Sequence, residues 1–153
     1  MISTPNTIGT RESRRIRGEY TLTTEDVKNQ RSFEDSIGYG SFFIDIHSVS
    51  GPGMDAKTWR PQQGFKYQIP YRILVPRDVE NLLVAGRCAS AGHEALGSLR
   101  VMPQCGVMGE AAGTAAVLAQ RDHTTPREVD IAALQQQLRA QGGIVGEGDT
   151  VAD

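Results

Sequence analysis

The stretch NLLVAGRCAS, residues 81–90, decides how the fold of this chain is interpreted. Its apolar run over residues 82–85 shows no alternation of polar and apolar side chains, and Gly86 and Arg87 end it. Strands that are buried on both faces of a parallel sheet have this pattern. Small residues then predict a helix over residues 103–120, with a proline in its first turn. Together the two segments are typical of the last strand and helix of a nucleotide-binding sheet.

The glycine-rich loop that holds the pyrophosphate in such sheets, G-x-G-x-x-G, does not occur in the sequence. The nearest candidates are GYGS at 38–41 and GPG at 51–53, which lack both the spacing and a following helix. The predicted strand and helix therefore stand without the phosphate-binding loop that normally accompanies them.

Composition narrows the classes of function. The chain of 153 residues is 39% hydrophobic and 22% charged with a net charge of -2, which indicates a globular protein without a broad basic field for nucleic acid. No apolar run approaches the roughly 20 residues that cross a bilayer, and the start lacks a signal-peptide pattern. Cys88 and Cys105 are too few for a disulfide framework or a metal site. We expect small buried thiols, no metal ion and a cytoplasmic protein.

Periodicity predicts strands before the long helix. Alternation predicts a strand over 14–22, bent at Gly18, and a second over 41–48. An extended segment is expected over 67–76, where Pro70 favours a strand end or an edge.

Helix signals are weaker in the first part of the chain than in the last. Thr24 is expected to cap a short helix, whereas residues 88–104 are expected to form a long loop. In the last helix Ile131, Leu134 and Leu138 form an apolar stripe. Thr125 and Asp130 are competing N-caps, and the glycine pair at 142–143 is expected to end the helix.

Residues 67–119, YQIPYRILVPRDVENLLVAGRCASAGHEALGSLRVMPQCGVMGEAAGTAAVLA, resemble the carboxy-terminal part of a known family. This is the FAD-dependent oxidoreductase family that includes relatives of the heterodisulfide reductase A subunit. The blocks GTRESRRIRGEYTLTTEDV at 9–27 and DSIGYGSFFIDIH at 35–47 are similar to the stretch just before it in the same family. The resemblance covers nearly the whole chain and keeps the order of the blocks.

The resemblance implies an α+β fold in which substrate-domain strands precede the last strand and helix of the nucleotide-binding sheet. The expected organisation is a flexible arm at 1–10, part of a β-rich substrate or cap domain at 11–78, the C-terminal part of the FAD-binding domain at 79–143 and an acidic tail at 144–153.

The implied function is that of an FAD-dependent oxidoreductase, which moves a hydride between an unknown small-molecule substrate and the flavin. Because the fingerprint loop is missing, the expected partner is an N-terminal half, or another chain, that carries it. Without that partner we expect exposed apolar sheet surface, self-association into a homo-oligomer and little turnover. Neither a nucleic acid nor a membrane is an expected partner.

Cofactor contacts are implied first at the end of the predicted strand. Gly86 lets the backbone approach the flavin closely. Arg87 stands where many flavoproteins have a carboxylate that binds the ribityl chain. This difference leaves two roles open for Arg87, a contact with a phosphate or a salt bridge with a nearby carboxylate.

Cofactor contacts are implied next at the start of the long helix, at Leu99 and at the backbone of Arg100, Val101 and Met102. In similar flavoenzymes a helix start faces the pyrimidine end of the isoalloxazine and stabilises the negative charge gained on reduction. The alternative is an ordinary helix start packed on the sheet.

Catalytic roles are implied for Arg100 and His93. In the wider fumarate-reductase-like group an arginine just before this helix binds a substrate carboxylate or donates a proton. His93 and Glu94 are then placed to relay protons, whereas the alternative for His93 is an ordinary hydrogen-bonding role.

Two alternatives to an enzyme stay open. One is a non-catalytic interaction module that binds no FAD by itself. The other is an anion-binding module that uses Arg11, Arg14 and Arg17, which otherwise form a solvated strand face.

Overall fold

The computed structural model describes residues 9–150. The predicted arm therefore lies almost entirely outside the described residues, as do the last three residues of the predicted tail. The elements, in chain order, are α1 (Thr24–Lys28), β1 (Ser36–Gly40), β2 (Tyr67–Pro70), α2 (His93–Leu99), α3 (Met102–Arg121) and α4 (Ile131–Ala140), with 3-10 turns at Tyr71–Ile73 and Pro126–Glu128. This mixture of helices and one small sheet is compatible with an α+β fold.

The sheet consists of β1 and β2, which pair antiparallel with Ser36 opposite Pro70 and Gly40 opposite Tyr67. Pro70 ends β2, as its lack of a backbone N–H predicts. β1 was not predicted, because its glycines hide the alternation and have low strand propensity. Gly38 is required there: its φ is +151°, and an added Cβ would lie 2.7 Å from the Val107 side chain of α3.

Residues 14–22 and 41–48 do not form the regular strands predicted for them. Each segment is extended and makes only isolated bridges, such as Gly18 with Pro76 and Leu22 with Ala91. The partner changes along the segment, so no ladder can continue. The predicted alternation nevertheless holds for burial at Ile44 and Ile46, which lie in the core.

The helix predictions fail mainly where the helices are short. Thr23 rather than Thr24 caps α1. Residues 93–99, predicted as loop, form α2, whose N-cap Gly92 makes no side-chain cap and gave no start signal. The prediction for α3 is confirmed to within one residue at each end.

The predicted buried strand over residues 82–85 is wrong. The segment belongs to no sheet, and Leu82 is 43% exposed. The Val84 N–H donates to Leu74 O at 2.9 Å, whereas the N–H groups of Leu83 and Ala85 have no partner within residues 9–150. Burial on both faces needs neighbouring strands, and the described part of the chain provides none here.

One hydrophobic core runs through the described residues. It includes Leu22 and Ile69 from the predicted substrate part and Met108 and Leu134 from the predicted FAD-binding part. α3 packs on β1 and on α4. The domain boundary near residue 78 stays a prediction.

The last helix follows its predicted pattern. Asp130 wins the competition for the cap and accepts hydrogen bonds from the N–H groups of Ala132 and Ala133. Leu134 and Leu138 are buried, and Gly143 N–H donates to Leu138 O at the C-terminal end. Helix ends need such partners for their free backbone groups.

The described residues just beyond α4 fold back on this helix. Asp149 Oδ2 accepts the N–H groups of Val145 and Gly146 at 3.0 and 2.8 Å and lies 3.0 Å from Arg139 Nε. These backbone hydrogen bonds, with the help of Arg139, hold the pKa of the Asp149 carboxyl below its usual range.

Asp26 at the start of α1 gives the fold a pH-dependent contact. Its carboxylate accepts hydrogen bonds from the Thr23 N–H at 2.9 Å, the Tyr20 hydroxyl at 2.7 Å and Arg31 Nη1 at 3.0 Å. Burial opposes ionisation, but the hydrogen bonds, led by that of the Thr23 backbone, outweigh it and hold the pKa of the Asp26 carboxyl below its usual range.

Asp26→Asn is therefore expected to destabilise the protein at pH 7. The stabilisation from a lowered folded-state pKa is fully present above the unfolded-state pKa of about 3.9 and is lost as the pH falls through the folded-state value. Urea unfolding at pH 7 and below about pH 3 checks this, because the gap between wild type and variant should shrink in acid. Glu25→Gln is the control, since the Glu25 side chain makes no hydrogen bond or ion pair in the described chain. A gap that stays constant with pH would contradict the prediction.

Candidate functional site: a cationic cleft beside a helix start

The two predicted catalytic side chains line one cleft, which has a volume of about 230 Å³. We call it the Arg100 cleft. Its charged or titratable lining residues are Arg11, Glu12, His47, His93 and Arg100. Two arginines thus face one carboxylate among the lining residues, and the cleft suits an anionic ligand.

Arg100 is held in place by the segment that packs against α2. Its side chain is 10% exposed, and Nη2 donates to Asp45 O at 2.6 Å and lies 3.6 Å from Asp45 Oδ2. Nε and Nη1 have no protein partner within residues 9–150. The guanidinium is therefore fixed at one nitrogen and keeps donors for a ligand carboxylate.

Each histidine of the cleft has a carboxylate nearby, and for His93 this carboxylate forms a hydrogen bond. His93 Nδ1 lies 2.7 Å from Glu12 Oε2, which leaves Nε2 without a partner among the described residues. His47 Nε2 lies 3.4 Å from Asp45 Oδ1. A carboxylate on one ring nitrogen fixes the ring and its tautomer, which is the arrangement that proton transfer through the other nitrogen needs.

Sequence reasoning missed part of the cleft. Arg11 was interpreted as part of a solvated strand face or of an anion-binding module, and Glu12 was given no role. No local signal connects Glu12 with His93, which lies 81 residues away. Glu94, the predicted relay partner of His93, is instead 3.7 Å from Lys57 Nζ. Asp45 and His47 lie on one face of the strand predicted over 41–48, where alternation makes a carboxylate–histidine pair a weak prediction. Their position beside Arg100 has no signal in the sequence.

The predicted flavin contacts at the start of α3 have open backbone groups. Val101 is the N-cap, no side chain caps this end, and the first turn contains no acidic residue. The N–H of Arg100 itself donates to Leu96 O, so Val101 and Met102 provide the free N–H groups. Leu99 is fully buried, main chain included, so the predicted contact at this residue stays a prediction.

The buried side chain of Gln104, in the first turn of α3, independently indicates a polar ligand at this helix start. The residue is 3% exposed, and its Oε1 has no hydrogen-bond partner. A buried acceptor without a partner costs about 1–3 kcal/mol, so such groups call for an explanation. An uncapped helix start beside an unpaired buried acceptor fits a bound polar ring such as a flavin.

The predicted contacts at Gly86 and Arg87 lie at the end of the extended segment. Gly86 has φ +86°, a conformation that favours glycine. Arg87 Nη1 donates to Thr10 O at 2.5 Å and forms no ion pair with a carboxylate among residues 9–150. The salt bridge offered as one alternative is therefore not formed in this part of the chain, and a phosphate contact of Arg87 stays a prediction.

The cysteines differ from the expectation of two buried thiols. Cys88 is exposed and Cys105 is half-buried, and neither forms a disulfide. Burial raises the pKa of the Cys105 thiol, which the charge of Arg87 opposes in part. Cys88 was predicted wrongly, because the buried strand that would have covered it is not formed.

The described part of the chain contains neither a cluster of metal-ligating side chains nor a membrane-crossing helix. Between residues 9 and 150, three or more His, Cys, Asp or Glu side chains never come together as metal ligands. The same residues include no helix with the length and hydropathy that a membrane crossing requires.

Comparison with known proteins identifies a family for this chain. The sequence model of the family described as FAD dependent oxidoreductase matches residues 1–138. Comparison with curated proteins and with solved structures gave no significant match. The family match covers the Arg100 cleft, the extended segment and the whole of α3. The chain thus belongs to the FAD dependent oxidoreductase family.

Proposed function

We propose that this chain forms the substrate cleft and the C-terminal part of the flavin site of an FAD-dependent oxidoreductase. The observation that carries the proposal is the position of Arg100, which lines the cleft and directly precedes the uncapped start of α3. One residue thus joins an anion-binding cleft to a surface that suits a flavin. The enzyme moves a hydride between a small carboxylate substrate and the cofactor.

The residues of the cleft have separate tasks in this proposal. Arg100 binds the substrate carboxylate through Nε and Nη1, while Asp45 keeps its guanidinium in place. His93 moves a proton at Nε2, and Glu12 holds the opposite ring nitrogen. FAD, when bound, supplies the hydride acceptor or donor. The residues that would hold it are those predicted from the sequence: Gly86, Arg87, Leu99, Arg100, Val101 and Met102.

Two unpaired surfaces support a partner that completes the flavin site. Within residues 9–150 the N–H groups of Leu83 and Ala85 in the extended segment at 82–85 have no partner, as in an edge strand before it is covered. Gly106, Gly109 and Gly113 on α3 are exposed, and a Cβ added at any of them would meet nothing within 4 Å. Glycines inside a helix cost about 1 kcal/mol each, and close packing against a second surface offsets this.

The partner in this proposal is an N-terminal half, or another chain, that carries the dinucleotide fingerprint. The similarity of residues 67–119 to relatives of the heterodisulfide reductase A subunit belongs to the same proposal. The two free cysteines support a reducing, cytoplasmic location. Without the partner, pairing between exposed edges of two copies is the expected route to a homo-oligomer.

The first experiment is the visible absorption spectrum of the full chain purified with FAD and then freed of unbound cofactor. Retained flavin supports the site at the start of α3. If the chain is colourless alone, the same measurement is made after co-expression with a partner that carries the fingerprint. Flavin that binds to neither preparation would overturn the proposal and favour the non-catalytic module.

Gly109→Leu is expected to remove flavin retention, or pairing with the partner, without loss of stability. The added side chain enters open space in this chain but occupies the surface that the partner would cover. Helix propensity should raise the free energy of unfolding by up to about 1 kcal/mol. Flavin absorbance and urea unfolding measure the two effects. Gln136→Leu, at an exposed position of α4, is the matched control and should retain flavin.

A further inference from the structure

The loop over residues 60–66, RPQQGFK, lies between two cavities that share no lining residue with the Arg100 cleft. Their volumes are about 520 and 670 Å³, and Arg60, Phe65 and the residues between them line both. Pockets that bind small molecules have volumes of about 300–1,000 Å³. We call this region the Arg60 loop site.

The charge of the Arg60 loop site is of one sign. Lys28, Arg60 and Lys66 line the two cavities, and no carboxylate does. Within residues 9–150 none of these three side chains forms an ion pair or a hydrogen bond. All three side chains are exposed, whereas the equally exposed Arg72 has a carboxylate partner, Asp35, at 2.9 Å. Three unpaired cations around one loop favour a ligand with more than one negative charge.

Aromatic rings position two of these cations. The Arg60 guanidinium carbon lies 4.3 Å from the centre of the Phe43 ring, and Lys66 Nζ lies 4.7 Å from the centre of the Tyr39 ring. A ring face attracts a cation without a carboxylate, so the N–H groups that point away from the ring stay available. The cations are therefore held in position while their donors stay available to a ligand.

The same site offers rings and amides to a planar group. Phe42 and Phe43 lie half-buried with ring centres 4.4 Å apart, and the edge of Trp59 meets Phe65 at 5.1 Å. Gln62 and Gln63, exposed at the tip of the loop, add amide donors and acceptors. Flat aromatic walls bind planar rings by stacking, and a glutamine amide can pair with the edge of a purine.

We propose that the Arg60 loop site binds a small ligand that combines a planar base with a dianionic phosphate, such as a nucleoside monophosphate. The cations bind the phosphate, and the rings and amides bind the base. A carboxylate carries one charge and would leave two of the three cations without a partner. Phosphate also accepts forked hydrogen bonds from an arginine better than from a lysine, which places Arg60 at its centre.

Trp59 allows a direct test, because it is the only tryptophan of the chain and lines the site. Its fluorescence is recorded while the full chain, without FAD, is titrated with adenosine monophosphate, adenosine or inorganic phosphate. Saturable quenching by adenosine monophosphate is expected, with adenosine and phosphate each binding at least about tenfold more weakly because each lacks one half of the recognised chemistry. Equal binding of phosphate and the nucleotide would overturn the proposal, since it would mean a bare electrostatic surface.

Arg60→Gln and Lys66→Gln should each weaken binding of the nucleotide by about tenfold, the loss expected for one charge-assisted hydrogen bond. Arg77→Gln, at an exposed arginine outside both cavities, is the control and should bind as the wild type does. Far-ultraviolet circular dichroism shows whether the variants are folded. Unchanged binding in both folded site variants would overturn the proposal, whatever the outcome of the flavin experiment.

Discussion

Arg100→Met is expected to weaken binding of succinate to the Arg100 cleft by at least about tenfold and to lower the free energy of unfolding by about 2 kcal/mol. Binding weakens because the variant removes Nε and Nη1 of Arg100, which have no protein partner within residues 9–150 and are the donors proposed for the carboxylate. Both atoms belong to the residue that directly precedes the start of α3. The free energy of unfolding falls because the side chain is 10% exposed and its loss leaves Asp45 O without its donor. Succinate serves as the probe for a small carboxylate substrate.

Isothermal calorimetry with succinate and urea unfolding measure these two effects separately. Arg100→Lys is expected to restore part of the binding, since an ammonium keeps the charge but cannot form a forked pair. Arg87→Met is the matched control. Arg87 is exposed and its side chain donates, among residues 9–150, only to Thr10 O, so the variant should keep succinate binding and most of the stability. Equal succinate affinity in wild type and Arg100→Met would sink the assignment of Arg100 as the carboxylate-binding residue.

Gly97→Ala is expected to lower the free energy of unfolding by about 1–3 kcal/mol. A Cβ at Gly97 would lie 2.8 Å from Ile46 Cδ1 and only 3.0 and 3.2 Å from the backbone O and N of Asp45. The isoleucine can turn aside, but the backbone cannot move without displacing the residue that holds Arg100. The variant should therefore lose affinity for succinate together with stability.

Gly113→Ala provides the opposite control for Gly97→Ala. Gly113 also lies inside a helix, but an added Cβ there meets nothing within 4 Å. Its replacement should raise the free energy of unfolding by up to about 1 kcal/mol, the gain in helix propensity. Because the two variants make the same chemical change, opposite changes in their free energy of unfolding would be due to the close approach of α2 to the segment at Asp45. If Gly97→Ala raised the free energy of unfolding as Gly113→Ala does, the close approach would not restrict the side chain at residue 97.

The outcome for the predicted strand at 82–85 shows what a local pattern can and cannot predict. An apolar run without alternation describes side chains that need cover on both sides. It does not show whether the rest of the chain provides that cover. In the described residues it does not, and the segment keeps one hydrogen bond to Leu74 and an exposed Leu82. The same missing cover explains why Cys88 is exposed.

The sequence by itself determined the features that repeat within a few residues. The small-residue pattern of α3, the stripe of Leu134 and Leu138 in α4, and the family match rest on such local order. Helix periodicity is strong in long elements and weak in a seven-residue helix such as α2, which is why the first were predicted and the last was not.

Only the tertiary structure decided which side chains share the Arg100 cleft. Glu12 reaches His93 across 81 positions, and Asp45 reaches Arg100 across 55. Contacts over such distances depend on how α2 packs against the segment at Asp45, where Gly97 allows the close approach. Residue types and spacing indicated which groups carry the chemistry. The packing of distant segments, which no local period encodes, fixed their partners and their orientation.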